Sequence, residues 1–379
     1  MRNKAIIFFE KVKNMSLKNE ILNLIKYKQS LYRARKSSAI LKDVDVKPIT
    51  KEQKDMIKSV WGNVKIDPKW MSYFNETRIE GIEWSPYYVP DNIQYGIIDL
   101  FYSDYRKCRI IEDKNLNNLL YAELNQPETV LRKISHPKSG TIFLDKNFCI
   151  LSENQALNLL TDGNLIVKPS IDSGGGKGVS LFLDSNNEED ILKSISSHSD
   201  VIVQKVAKQH IEMESLNKSS LNTIRFVTFI NKDGVHILSV VARMGSNKSH
   251  LDNASSGGLF CGIKNDGTLK STAYNLKLNK FDKHPDSGII FKDYNIPSFE
   301  KCCSIVTSLA PKFYGFSRLI SWDLAIGIDG IPMLIEANMT FGGVNIPQIA
   351  NGPLYGSLTK DVIKEVFSDK RNIWLSKFI

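Results

Sequence analysis

One segment predicts the fold of the C-terminal third of the chain: Ser321-Trp-Asp-Leu-Ala-Ile-Gly-Ile-Asp-Gly-Ile-Pro-Met-Leu-Ile-Glu-Ala-Asn338. Two apolar runs flank the pair Asp329-Gly330, a pattern that predicts two antiparallel strands joined by a tight turn. Glu336 and Asn338 are two residues apart, so they point to the same face of the second strand. The turn makes Asp323 a near neighbour of Glu336 across the hairpin. Because the surrounding residues are apolar, this oxygen-rich trio favours a bound Mg²⁺ over a solvated sheet face.

A second segment, Leu165-Ile-Val-Lys-Pro-Ser-Ile-Asp-Ser-Gly-Gly-Gly-Lys-Gly-Val179, joins two predicted strands through a glycine-rich loop. Glycines let backbone N–H groups turn toward phosphate oxygens with no side chain in the way. Lys168, near the end of the first strand, would place a positive charge against a nucleotide phosphate. The spacing fits neither a Walker A motif, nor a protein-kinase loop, nor a dinucleotide fingerprint. The alternative interpretation is a purely structural turn.

Two arginines and two further segments complete the set of candidate site elements. Arg225 lies in a predicted strand and Arg243 ends the next one, so both would neutralise a phosphoryl group in transfer. Surface salt bridges are the alternative for both. The loop Asp252-Asn-Ala-Ser-Ser-Gly-Gly258 is rich enough in Gly and Asn to close over a site. After the strand at Val201–Lys205 comes a linker whose backbone would bond an adenine ring, with Gln204 facing it.

Composition limits the class of protein. The chain has 379 residues, of which 42% are hydrophobic and 24% charged, as in ordinary globular proteins. Its five cysteines include no CxxC pair, so neither a disulfide framework nor a zinc site is indicated. The longest apolar run near the start, residues 5–9, is too short for a signal peptide, and no segment is long enough to span a bilayer. We therefore expect a cytoplasmic protein.

The net charge of +9 is concentrated at the N-terminus. Residues 1–58 hold fifteen Lys and Arg but only six Asp and Glu, which accounts for the whole excess. Such a region suits an anionic surface, and our hypothesis is peripheral contact with the inner face of a membrane rather than with nucleic acid. A solvated helical face is the alternative.

The alternation of short strands and helices after Asp113 predicts an α+β fold of antiparallel sheets with packed helices. Before it, residues 4–42 show helical spacing of apolar residues, and Thr50-Lys-Glu-Gln53 resembles a capping box that starts a helix ending near Trp61. The tryptophans and tyrosines of residues 61–95 are interrupted by prolines and are expected to form core packing.

These segments, in this order, resemble the ATP-grasp superfamily between about Asp113 and Tyr355. The spacing of the oxygen trio looks like that of D-alanine–D-alanine ligases. The chain is most similar to the sugar-transfer-associated ATP-grasp proteins of polysaccharide loci. That closer match is carried by Asp113-Lys-Asn115, Lys168-Pro-Ser with Asp172-Ser-Gly-Gly-Gly-Lys-Gly-Val179, Ser220-Leu-Asn-Thr-Ile-Arg225, Asp252-Asn with Gly257-Gly258, Trp322-Asp323, and Glu336-Ala-Asn338 through Gln348 and Gly352-Pro353.

The resemblance implies an ATP-grasp fold, in which two α+β subdomains grip ATP between antiparallel sheets. It implies a basic, mainly helical N-terminal region over residues 1–60 and a pre-ATP-grasp or substrate region over 61–112. Subdomain A would span residues 113–205, and subdomain B, with the metal site, would span 206–379.

The resemblance also implies roles for individual residues. Arg225, Arg243 and Lys168 would be catalytic, stabilising developing charge, and Asp323, Glu336 and Asn338 would hold Mg²⁺. Many ATP-grasp enzymes have Glu at the position of Gln204, whose amide would still bond an adenine amino group. The residues expected to bind ATP are Lys133, Lys168, Ser173, Gly174, Gly175, Gly176, Lys177, Gly178, Gln204, Lys205, Val206 and Glu212.

The activity implied is carboxylate–amine ligation, in which ATP converts a carboxylate to an acyl phosphate and an amine displaces the phosphate. The substrates would be a small-molecule carboxylate and amine, one of them carried by a nucleotide- or lipid-linked sugar, in cell-surface polysaccharide synthesis. Two alternatives stay open: an ATP-dependent sugar or polyol kinase on the same fold, and a nucleotide-binding protein without turnover.

Overall fold

The computed structural model describes residues 28, 31–32, 34–36, 38–42, 44–76, 84–161, 163–171, 174–183, 188–250, 252, 254, 257–340 and 342–378. Most of the helix predicted over residues 4–42 lies outside these ranges. In the described part, thirteen strands form two sheets in which all paired strands are antiparallel. The predicted α+β class is therefore confirmed.

The first sheet has six strands, in the order β3-β2-β1-β6-β4-β5. Their bounds are β1 Thr129–His136, β2 Gly140–Leu144, β3 Ile150–Leu151, β4 Leu165–Pro169, β5 Ser180–Phe182 and β6 Val201–Lys205.

The second sheet has seven strands, in the order β11-β10-β9-β8-β7-β12-β13. Their bounds are β7 Thr223–Asn231, β8 Gly234–Met244, β9 Leu259–Ile263, β10 Leu269–Tyr274, β11 Lys280–Phe281, β12 Leu319–Ile326 and β13 Pro332–Asn338.

The α-helices are mostly short. They are α1 Lys51–Trp61, α2 Pro68–Asn75, α3 Asp91–Ile93, α4 Asp99–Tyr102, α5 Tyr105–Ile111, α6 Asn117–Leu120, α7 Glu153–Leu159, α8 Glu188–Ser196, α9 Ile211–Leu216, α10 Phe299–Leu309, α11 Asn345–Asn351, α12 Thr359–Val366 and α13 Lys370–Leu375. A π-helical turn, Gln94–Ile98, links α3 to α4, and 3₁₀ turns occur at Ser38–Lys42, Lys114–Leu116, Gly174–Gly176, Ala310–Phe313 and Gly356–Leu358. None of the described helices is both long and apolar enough to cross a membrane.

The helices that lie between the strands of the first sheet in the sequence cover only one of its two faces. Helices α7 and α8 pack on the face that carries Leu131, Val167 and Val203. Because side chains alternate along a strand, Lys168 and Gln204 lie on the opposite face. The same face packs against the 3₁₀ turn Lys114–Leu116, where Arg132 donates to the Asn115 carbonyl.

The second sheet separates two cores. Helix α10 packs on the face that carries Phe226 and Trp322. The opposite face carries Val227 and Phe229 and is covered by the N-terminal helices together with α11 and α12. Arg225 is two residues from Val227, so it shares the face on which the N-terminal region packs.

The described residues between 44 and 95 have the local features that their sequence predicts. Both hydrogen bonds of the capping box at Thr50 and Gln53 are present at the start of α1. Trp61 and Trp70 are 2% and 0% exposed, respectively, which confirms that this aromatic cluster is core. The indole of Trp84 donates to the Met71 carbonyl, so segment 84–90 is fastened against α2.

Candidate active site

Asp323 is the centre of a buried ionic cluster on the second sheet. Strand β12 lies between β7 and β13, and Asp323 is in register with Arg225 on one side and Glu336 on the other. Arg225 donates to both Asp323 carboxylate oxygens, Nε to Oδ1 at 2.7 Å and Nη2 to Oδ2 at 2.6 Å. Arg243 Nη1 also donates to Oδ2, at 3.1 Å. Burial raises the pKa of Asp323, but the two guanidinium groups outweigh it, and the net pKa is lowered.

The cluster reaches the loop that the sequence predicts to close over a site. Asp252 Oδ1 lies 3.3 Å from Arg243 Nη2, and the Thr223 hydroxyl donates to Asp252 Oδ2. Asp252 thus ties the loop to Arg243 and holds the guanidinium from the side opposite Asp323. Residues 251, 253, 255 and 256 of the same loop are outside the described part of the chain.

Glu336 has a cationic partner that sequence analysis did not place in the site. Lys114 is 8% exposed, and its Nζ lies 2.8 Å from Glu336 Oε1. Burial raises the pKa of Glu336, but Lys114 outweighs it, so the net pKa of Glu336 is lowered. The Lys114 backbone N–H donates to the Ser170 carbonyl at the end of β4, at 2.9 Å. Lys114 thereby joins the two sheets at the site.

The position of Lys114 depends on contacts far apart in the chain. The buried guanidinium of Arg132 on β1 donates from Nε to the Asn115 carbonyl at 3.1 Å, and Asp113 accepts from the Asn115 N–H at 3.0 Å. The motif Asp113-Lys-Asn115 is part of the resemblance, and it is the only signal in the sequence that pointed to Lys114.

Asn338 completes the predicted oxygen trio. It follows Glu336 by two residues on β13 and pairs with Ser321 on β12. Its Nδ2 atom is buried and has no hydrogen-bond partner. The Glu112 carboxylate accepts from the N–H groups of Met339 and Thr340, at 2.9 and 2.8 Å, which fixes the backbone just after Asn338.

The donor set of the trio fits a hard cation, because it offers two carboxylates and an amide on one sheet face. The described residues contain no cluster of three or more His, Cys, Asp or Glu side chains that could by itself hold a metal ion. A metal assignment therefore depends on the Asn338 amide as well as on the carboxylates of Asp323 and Glu336.

Lys168 faces this cluster from the first sheet. Its Nζ donates to Gln204 Oε1 at 3.2 Å, and Gln204 Nε2 donates to the Pro127 carbonyl at 3.3 Å. Burial and the nearby charge of Lys114 lower the pKa of Lys168 to about 8, against the opposing effects of Glu336 and Asp252. Gln204 therefore positions the lysine, and its contact with adenine stays a prediction.

The glycine-rich loop has the backbone that its composition predicts. Gly175, Gly176 and Gly178 have φ angles of 74°, 76° and 74°, a region that favours glycine. A Cβ atom on Gly178 would lie 2.6 Å from His198 Nε2, so the loop packs too closely there for any side chain. Lys177 is exposed, and Ser173 is outside the described residues.

The structure corrects the assignment of Lys133. Lys133 lies on the helix-covered face of the first sheet, opposite to Lys168, since it pairs with Val201 on β6. Its Nζ donates to the carbonyls of Ile195 and His198, at 3.1 and 2.7 Å, and so caps the end of α8. The period of two along β1 could not show which face the helices would cover.

Three other residues expected to bind ATP are not brought into the ionic cluster. The N–H groups of Lys205 and Val206 donate to the carbonyls of Glu128 and Asn164, at 2.9 and 3.0 Å. The Glu212 side chain is 50% exposed, and its carboxylate lies 3.8 Å from His210 Nδ1. Adenine and ribose contacts by this linker stay predictions.

The sheets and the ionic cluster agree with one known protein family. The family described as sugar-transfer associated ATP-grasp matches residues 98–364, more than two thirds of the chain. The chain belongs to this family. The ATP-grasp fold that the resemblance implied is thereby confirmed, in agreement with the two antiparallel sheets. No curated protein sequence matches the chain.

Solved structures similar to this ATP-grasp protein include several ligases. D-alanine–D-alanine ligase from Bacillus anthracis is 18% identical, with 73% of this chain and 71% of that chain covered and a TM-score of 0.39. L-amino acid ligase from Bacillus licheniformis is 15% identical, with 68% and 47% covered and a TM-score of 0.37. An ATP complex of biotin carboxylase from Campylobacter jejuni is 12% identical, with 67% and 46% covered and a TM-score of 0.39.

Family membership supports ATP binding and ligase-type chemistry for this ATP-grasp protein.

Proposed function

We propose that this protein is an ATP- and Mg²⁺-dependent carboxylate–amine ligase that modifies a sugar or amino-acid substituent in cell-surface polysaccharide synthesis. The observation that carries the proposal is the cluster of four cations around Asp323 and Glu336, drawn from both sheets. These cations are Lys114, Lys168, Arg225 and Arg243. So many positive groups beside two carboxylates suit a triphosphate held with a divalent cation.

The proposed reaction has two steps. A carboxylate oxygen of the first substrate attacks the γ-phosphorus of ATP, and the bond from that phosphorus to the bridging oxygen of ADP breaks. The nitrogen of an amine then attacks the acyl carbon, the carbon–oxygen bond to phosphate breaks, and the nitrogen loses a proton. The products are an amide, ADP and phosphate.

The residues of this chain would contribute positioning and charge. Lys114, which contacts Glu336, and Lys168 on β4 would bind the phosphates. Asp323 holds Arg225 through two hydrogen bonds, so that guanidinium is already oriented before charge develops on the transferred phosphoryl group. Mg²⁺ bound by Asp323, Glu336 and Asn338 would neutralise phosphate charge.

The deciding experiment is an ADP-release screen of uronic acids and amino acids with Mg²⁺. We expect ADP release that requires both a carboxylate and an amine, with one amide formed per ADP. Hydroxylamine in place of the amine should yield a hydroxamate, which reports the acyl phosphate. Phosphate transferred to a sugar hydroxyl without any amine would instead establish a kinase. An unchanged biological activity in Glu336→Ala would establish a protein without turnover.

Lys114 and Lys133 form a matched pair for testing the site. We expect Lys114→Met to raise the KM for ATP and to lower kcat/KM by about 10²-fold, because it removes a cation aimed at the phosphates. Lys133→Met should leave the KM for ATP within about twofold, because its ammonium caps α8 on the other face. Steady-state kinetics of both variants measure these changes. A larger rise in the KM for ATP in Lys133→Met than in Lys114→Met would contradict the proposed position of the nucleotide.

A further inference from the structure

The last described helix, α13, has an unusual outer face. Trp374 and Phe378 are 54% and 53% exposed, and their ring centroids are 4.6 Å apart. The inner face of the same segment is buried, with Leu375 at 4% and Ser376 at 1% exposure. Large aromatic side chains seldom stay in water in this way, so the pair marks an interaction surface.

Positive charges surround the aromatic pair. Lys370 lies four residues before Trp374 and shares its side of α13, and Lys377 lies in the turn that follows the helix; both lysines are exposed. Arg371 is also exposed and pairs with Asp369, the N-cap residue of α13. We call this surface, formed by Lys370, Arg371, Trp374, Lys377 and Phe378, the α13 patch.

The patch is anchored to the body of the protein. The Lys65 N–H donates to Ser376 Oγ at 3.0 Å, which fastens the end of α13 to the segment after α1. Lys65 is itself exposed and adds a further cation beside the patch. Leu375 belongs to the core formed by the N-terminal helices, so the orientation of the outer face is fixed by packing.

We infer that the α13 patch docks the protein on an anionic lipid surface. Trp and Phe side chains insert at the boundary between headgroups and acyl chains, while Lys and Arg beside them contact anionic headgroups. The patch offers both kinds of group on α13 and the turn that follows it, and its positive charge complements an anionic membrane. This inference is independent of the proposed ligase activity and uses no residue before Lys65.

The test is cosedimentation of the full-length protein with phosphatidylcholine vesicles, with and without phosphatidylglycerol. Wild type should bind the phosphatidylglycerol vesicles more strongly, and added salt should weaken binding. The double variant Trp374→Ala/Phe378→Ala should lose about tenfold or more in partitioning, because two half-exposed aromatic side chains are removed. The matched control, Ile290→Ala/Tyr314→Ala, removes exposed apolar side chains elsewhere and should bind like wild type.

Fluorescence separates this patch from any other lipid contact of the chain. Trp61, Trp70 and Trp322 are at most 2% exposed and Trp84 is partly buried, so Trp374 is the most exposed indole. Brominated phosphatidylglycerol should therefore quench wild type but not Trp374→Phe, which keeps an aromatic ring and should still bind. Equal binding of wild type and the double alanine variant, or no quenching, would overturn the inference. So would a variant that changes only the oligomeric state in light scattering, which would assign the patch to self-association.

Discussion

Replacing Asp323 with asparagine is expected to lower ATP turnover by about 10³-fold and to destabilise the fold by about 3 kcal/mol. The carboxylate is the shared partner of Arg225 and Arg243, and it is 4% exposed. An amide of the same size can accept from one guanidinium but carries no charge. The two buried cations would then lose their shared anion, with Asp252 left as the carboxylate partner of Arg243, and Arg225 would lose its fixed orientation.

The pH dependence of this effect depends on the pKa of Asp323. Burial raises that pKa and the two arginines lower it, with a net value below the ordinary 3.8. A carboxylate with a lowered folded-state pKa adds stability above its unfolded-state pKa and loses it as pH falls through the folded-state value. The difference in unfolding free energy between wild type and Asp323→Asn should therefore be full at neutral pH and shrink below about pH 4.

Urea unfolding at several pH values, together with ADP release, measures both parts of this prediction. Asp252→Asn is the matched comparison, because Asp252 contacts only one of the two arginines, at 3.3 Å, and lies on a loop. We expect a smaller loss of stability in that variant. If Asp323→Asn kept wild-type turnover, Asp323 would have no part in the proposed metal site or in the proposed reaction.

The hairpin of β12 and β13 shows what a sequence can predict. The turn at Asp329-Gly330 predicts that Asp323 lies near Glu336 across the hairpin, and the structure pairs the two residues, with a one-residue register shift between Asp323 and Leu324 that the sequence does not predict. The capping box at Thr50 is likewise a local signal and is present. Both predictions succeed because the residues that determine the geometry are close in the chain.

Strands β9, β10 and β11 were not predicted, although Asp266-Gly267 between β9 and β10 is a turn signal of the same kind as Asp329-Gly330. Strand β9, Leu259–Ile263, is buried along its whole length, so no polar alternation reveals it. It contains Gly262, whose Cβ would lie 2.3 Å from Asn351 Oδ1 on α11. The glycine is thus required by a contact between segments far apart, and no local pattern predicts that.

For the candidate site as well, the predictions that rest on local patterns differ in outcome from those that depend on packing. The acids and arginines on adjacent strands were predicted, whereas Lys114 was missed and Lys133 was wrongly placed. Lys114 reaches Glu336 only because Arg132 and Ser170 hold its segment between the sheets. Lys133 faces away because α8 packs on its side of β1. Both outcomes depend on how separate elements pack, which a single sequence does not encode locally.

Lys168→Met is expected to stabilise the nucleotide-free protein while impairing its activity. Burial, with Lys114 nearby, lowers the pKa of Lys168 from 10.5 to about 8. Keeping this ammonium group charged in the folded protein therefore costs free energy. Methionine has a similar length and no charge, and we expect it to raise the free energy of unfolding by about 2 kcal/mol at pH 7. The same change removes a phosphate-binding cation and should lower kcat/KM for ATP by about 10²–10³-fold.

The pH profile distinguishes this explanation from simple repacking. Between pH 8 and 10.5 the unfolded chain keeps the Lys168 proton and the folded protein loses it, so wild-type stability gains from this group as pH rises. The advantage of Lys168→Met should therefore be full below pH 8 and vanish toward pH 10.5. A packing gain would be independent of pH. Lys232→Met, at an exposed turn, serves as the control and should show neither effect.

ATP binding should show the opposite dependence on the same proton. Phosphates favour charged Lys168, so the wild-type affinity for ATP should be constant below pH 8 and fall above it. In Lys168→Met the affinity should be weaker throughout and should not fall across this range through loss of that proton. Calorimetric titration with ATP at pH 7 and pH 9 measures the difference. If wild type bound ATP with the same affinity at pH 7 and pH 9, Lys168 would not contact the nucleotide. This would hold even if Lys168→Met were inactive.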